Sequence, residues 1–136
     1  TGMSTMDQIR HAIAILGTER LIITHCTSTY PCKSDEINLA VMEELRREFN
    51  CPVGYSGHES GLQISIAAAA MGASVIERHI TLDRAMWGSD QAASVEPQGL
   101  IRLVRDIRVV EQAIGDGIKQ VYETELPLIE RLRRVG

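Results

Sequence analysis

The sequence predicts an α/β fold, a parallel sheet that forms one part of a larger barrel, and three observations predict it. Short apolar runs alternate with stretches of helical periodicity, in the order helix, then strand and helix three times over. Strands separated by helices run parallel, because each crossover returns the chain to the same end of the sheet. Three such strands leave bare edges although their apolar runs suit burial on both faces, so further strands are expected beside them. At 136 residues, 44% hydrophobic and 24% charged, the chain can build a core and is too apolar for wholesale disorder.

Each element has its own signal. Met6, Ile9, Ile13 and Leu16 recur at helical spacing, Thr5 and Gln8 can form a capping box, and Gly17 is a stop. Leu21, Ile22, Ile23 and Thr24 read as a strand ending near His25 and Cys26. Pro31 closes the next loop, and Ser34 is expected to cap a second helix that buries Ile37, Val41, Leu45 and Phe49. Residues 52–55 read as a second strand, 61–71 as a small-residue helix stopped by Gly72, and 74–79 as a third strand. A loop rich in Gly, Ser and Asp spans 83–96, and Pro97 suits the first turn of a long helix. Leu100, Leu103, Val104, Ile107, Val110 and Ile114 give that helix one apolar stripe, and Asp116 and Gly117 end it. A weak helical segment follows near 128–132, so residues 1–136 read as one partial domain with 118–136 as its tail.

Net charge is −4 and no basic block appears, which argues against nucleic-acid or anionic-membrane binding. The longest apolar run, 64–72, is interrupted by Ser65 and is too short to span a bilayer. The opening residues lack the pattern of a secretory leader. Cys26, Cys32 and Cys51 form no CxxC pair and leave an odd count, so reduced thiols in a cytoplasmic protein are expected.

In parallel α/β proteins function gathers where strands deliver their C-terminal ends, and here those ends are polar. His58 and His79 each end a strand with one helix between them; on neighbouring strands they can share a divalent metal, or they are two polar loop-edge residues that happen to lie close. Glu77 lies two residues before His79, on the same side of its strand, and is placed to ligate an ion or orient a ligand. Ser56, Gly57, Ser60 and Gly61 precede a helix, as an anion cradle would, or as an ordinary strand-to-helix turn with a serine cap. Tyr30 and the 87–91 segment, including Asp90, suit a hydroxylated ligand or a plain surface loop. Cys26 reads as packing rather than a nucleophile, and His11 and His25 as structural or exposed.

These motifs resemble the N-acetylneuraminate (sialic acid) synthase family of phosphoenolpyruvate-condensing enzymes. The resemblance rests on Thr1-Gly2-Met3, on 25–31 (HCTSTYP), on 53–59 (VGYSGHE), on 76–83 (IERHITLD) and on 88–97 (GSDQAASVEP), in order and at family-like spacing. It runs from Thr1 to about Gly117 and implies the C-terminal portion of a (β/α)8 TIM barrel, strands 6–8 with their helices. It further implies condensation of phosphoenolpyruvate with an N-acyl-hexosamine such as N-acetylmannosamine, giving a nonulosonic acid and phosphate. A divalent metal, commonly Mn2+ with Mg2+ or Co2+ as alternatives, is implied at His58 and His79.

Carried over by position, Ser28 and Ser56 would contact phosphoenolpyruvate, Tyr30 and Asp90 the sugar, and Glu77 would sit beside the metal. Ser28 stands where some members have asparagine. The family's phosphate-binding lysines and its antifreeze-like domain have no counterpart here. The chain alone is therefore expected to be inactive and to act as a homodimer or with a complementing N-terminal barrel half. A synthase of legionaminic, pseudaminic or spore-coat sugars, and a non-catalytic fragment, are the rival readings.

Overall fold

A computed structural model describes residues 1–134; Val135 and Gly136, the last of the expected tail, lie outside the described residues. Helix α1 (Met6–Leu16) opens with the expected capping box between Thr5 and Gln8, and the Gly17 amide closes it on the Ile13 carbonyl. Its inner face buries Ile9 and Ile13, while Leu16 is exposed. Strand β1 (Ile23–Cys26), helix α2 (Val41–Phe49), strand β2 (Val53–Gly57), helix α3 (Gln63–Ala70), strand β3 (Ile76–Arg78) and helix α4 (Pro97–Ile114) follow. A short helix, α5 (Leu126–Leu132), lies in the tail.

The three strands form one parallel sheet in the order β1-β2-β3. Cys26 pairs with Ser56, Ser56 with Glu77, and Gly57 with Arg78. Every residue of β2, the central strand, is buried. Met42, Leu45, Val53, Tyr55, Ile37 and Ala68 are at most 2% exposed and centre the core between the sheet and α2 and α3.

The second helix differs from expectation. Residues 34–36 make only a 3₁₀ turn, Ser34 caps nothing, and α2 begins at Val41. The reason is Asn38, whose φ of +52° puts the backbone in the left-handed region that a continuous helix excludes. Ile37 and Leu45 are buried as expected, Val41 and Phe49 only partly, and Met42 takes a core position the periodicity did not assign.

Helix α4 keeps Pro97 in its first turn but buries only Leu103 of its apolar stripe; it packs principally on α3. The 83–96 loop carries the fully exposed Trp87 and a 3₁₀ turn at Gln91–Ala93. No helix among the described residues is long and apolar enough to cross a membrane.

Candidate functional site

The parallel register brings the three polar strand ends together. His58 and His79 sit one residue beyond the last paired positions of β2 and β3, and their ring centres lie 5.1 Å apart, edge to face. Both backbones are pinned: Cys32 donates to the His58 carbonyl at 3.0 Å and Val95 to the His79 carbonyl at 2.8 Å. Tyr30, just beyond β1, covers the pair with its ring centre 4.2 Å from that of His58 and 5.4 Å from that of His79. Loss of solvent around its phenol, with the charges of Cys26, Asp90 and Glu77, pushes the Tyr30 pKa up.

Each imidazole has one nitrogen near an oxygen, but only that of His58 is hydrogen-bonded. His58 Nδ1 donates to the Thr27 carbonyl at 2.8 Å, which leaves the Nε2 lone pair free. His79 Nδ1 lies 3.6 Å from Asp90 Oδ2. Histidines that ligate metals commonly turn one nitrogen to a carbonyl or carboxylate in this way, which fixes the tautomer. The pair therefore fits a divalent ion on the chemistry of its donors. Among the described residues no group of three or more His, Cys, Asp or Glu is arranged to hold one, so this chain would supply two imidazoles.

The other expected residues fall as follows. Ser56 is buried and donates its hydroxyl proton to Glu77 Oε1 at 2.6 Å, so Glu77 is engaged with Ser56. Ser28 is half-buried, its hydroxyl 3.7 Å from the Cys26 thiol. Asp90 accepts from its neighbour Ser89 through its other oxygen. His25 is buried and donates from Nε2 to the Ile37 carbonyl at 2.6 Å; burial lowers its pKa. His11 is exposed on α1, and Cys26, Cys32 and Cys51 are free thiols.

Behind this site lies a network of residues to which the sequence assigned no role. Tyr55 and Gly57 occupy the opposite phase of β2 from Ser56, and Glu59, two residues beyond the strand, joins Tyr55 on the helix side. Glu59 accepts from Tyr55 Oη at 2.8 Å, from Ser65 Oγ at 2.8 Å and from Arg78 Nη1 at 3.0 Å. The Arg78 and Glu59 side chains are 3% and 2% exposed. The period-two pattern of β3, which turns Arg78 away from Glu77, was the one signal available; Glu59 lies beyond the end of β2 and had none.

A parallel α/β unit with paired imidazoles at its carboxyl strand ends belongs among the proteins whose chemistry lies at that face of the sheet. The chain belongs to the NeuB family, whose model matches residues 1–119. It is 44% identical over 135 residues to human (Homo sapiens) N-acetylneuraminate-9-phosphate synthase, covering 97% of this chain and 38% of that protein. It is 45% identical over 139 residues to N,N'-diacetyllegionaminic acid synthase of Campylobacter jejuni, covering 98% of this chain and 42% of that protein. The crystal structure of N-acetylneuraminic acid synthetase from Leptospira borgpetersenii, in complex with citrate, superposes with a TM-score of 0.81 at 33% identity, covering 98% of this chain and 49% of that one. The chain thus spans about two-fifths of the length of these curated relatives.

Proposed function

We propose that this chain supplies strands 6–8 and the metal-binding face of a TIM-barrel synthase that condenses phosphoenolpyruvate with an N-acyl-hexosamine, N-acetylmannosamine in the first instance. The product is a nonulosonic acid, with release of phosphate. The observation that carries this reading is the edge-to-face contact of His58 and His79, each with Nδ1 beside an oxygen and Nε2 left for an ion.

In this reading His58 and His79 hold a divalent metal, Mn2+ first, which when bound supplies a Lewis acid for the aldehyde oxygen of the open-chain sugar. Tyr30 roofs the two rings and Asp90 lies 3.6 Å from His79, so both stand where the sugar would lie. Ser56 and Ser28 would contact phosphoenolpyruvate, the Ser56 hydroxyl turning to it from Glu77, which accepts its proton in this structure. The missing phosphate-binding lysines would come from an N-terminal half-barrel, in the same chain or in trans, and a homodimer is the simplest assembly. Free thiols throughout agree with a cytoplasmic setting.

The precursors of legionaminate and pseudaminate are the alternative acceptors, since relatives named for those products match at 45% and 34% identity beside 44% for the human enzyme. The test is phosphate release by the full-length protein from phosphoenolpyruvate with a panel of six-carbon N-acyl amino sugars. Metal-dependent release with one acceptor, lost in His58→Ala and His79→Ala, is the expected result; release that ignores both substitutions would overturn the reading.

A further inference from the structure

The two histidines are each one peptide bond from a member of one buried ion pair: Glu59 follows His58, and Arg78 precedes His79. We infer that the Glu59–Arg78 pair is a positioning device that sets the separation and orientation of the two imidazoles, an inference that rests on the reading of those histidines as metal ligands. Strand alternation puts the pair on the helix side and the imidazoles on the other, so neither charge touches the ion site directly.

The Arg78 guanidinium clamps three segments at once. Its Nη1 donates to the Glu59 carboxylate, to Ser65 Oγ at 3.0 Å and to the Gly61 carbonyl at 2.9 Å. Its Nη2 donates to the Glu59 carbonyl at 2.7 Å and the Ala93 carbonyl at 3.2 Å. These contacts join the turn after His58 to the strand before His79 and to the 3₁₀ turn that follows Asp90. Gly57 is shaped to the same network: a Cβ there would stand 2.6 Å from Glu59 Oε2, 2.8 Å from Tyr55 Cε1 and 2.9 Å from Arg78 Cδ.

Stability alone accounts poorly for the arrangement. Buried ion pairs are often matched or exceeded by apolar residues of similar volume, because desolvation offsets the attraction. Arg78 Nε is also buried without a hydrogen-bond partner among the described residues. A planar fork that fixes three backbone carbonyls does what an apolar filler cannot, which is to hold two strand ends at one distance and one rotation.

The experiment replaces the pair in the full-length protein by Glu59→Leu combined with Arg78→Met, with Arg78→Lys as a second variant that keeps the charge but loses the fork. Three quantities are read: melting by circular dichroism, Mn2+ affinity by calorimetry, and, without metal, the exchange protection of the His58 Nδ1–H proton that the bond to the Thr27 carbonyl is expected to give. The folded double variant is expected to lose that protected resonance and to bind Mn2+ ten- to a hundredfold more weakly, the range seen when a group that orients a metal ligand is removed. A folded double variant that retains the resonance and the wild-type affinity overturns the inference, and Arg78→Lys decides by the same criteria if the double variant does not fold. If the wild-type protein fails to bind Mn2+, the metal reading falls, while the resonance still decides the positioning role.

Discussion

Ser56 and Glu77 face each other across the β2–β3 register and share one proton-donating contact, the serine hydroxyl on the carboxylate at 2.6 Å. For Ser56 to contact phosphoenolpyruvate its hydroxyl must turn that proton from Glu77 to the anion. Ser56→Ala in the full-length protein is then expected to raise the KM for phosphoenolpyruvate about ten- to a hundredfold, the worth of a hydrogen bond to a charged group. The KM for the amino sugar should hardly move. Steady-state kinetics with each substrate varied in turn checks this, and an equal rise in both constants would remove Ser56 from the phosphoenolpyruvate side.

Asp90 stands 3.6 Å from His79 Nδ1. Asp90→Asn keeps the shape and removes the charge, so Mn2+ affinity is expected to fall roughly tenfold to a hundredfold while melting stays near wild type. His79→Ala should abolish binding. Calorimetric titration with Mn2+ distinguishes the two, and wild-type affinity in Asp90→Asn would assign that carboxylate to the sugar alone.

His25 sets a pH dependence of stability. Burial, only partly offset by the bond to Ile37, lowers its pKa below the ordinary 6.5, so the unfolded chain takes up a proton that the folded chain resists. Its contribution to stability is therefore complete above about pH 6.5 and is lost as the pH falls towards the folded-state value. His25→Asn should be less stable at neutral pH but show a flatter decline below about pH 6.5. Melting temperatures of both proteins across that range test it; parallel curves would place the acid sensitivity elsewhere.

The outer edges of β1 and β3 pair with no further strand among the described residues, and Ile22, Ile80 and Leu82 beside them are exposed. The 136-residue chain on its own is expected to self-associate, or to need an N-terminal half-barrel in trans, and to show no synthase turnover. Sedimentation analysis giving a compact monomer with cooperative melting would contradict this.

Parallel strands and their order were legible because runs such as Leu21 to Thr24 are short, apolar and bracketed by helical periodicity, and α1 announced both its cap and its stop. His58 and His79 were legible as neighbours because one helix separates their strands. The start of α2 was not, since the left-handed conformation of Asn38 is chosen by the surrounding chain and leaves no periodic trace. The Glu59–Arg78 pair was not, because its members are 19 residues apart and charged residues at strand ends ordinarily face water. The stripe on α4 was read correctly as apolar, but α3 covers little more than Leu103 of it.

Trp87 is the sole tryptophan of the chain, and it stands 99% exposed on the loop that leads to Asp90. Its indole emission therefore already reports full hydration in the folded protein. Denaturation followed at that wavelength would register little red shift as the core around Met42 and Leu45 opens. The same residue becomes a selective optical probe, however, because any ligand or neighbouring subunit that settles against the 83–96 loop must dehydrate it, and a blue-shifted spectrum would record that event without added label.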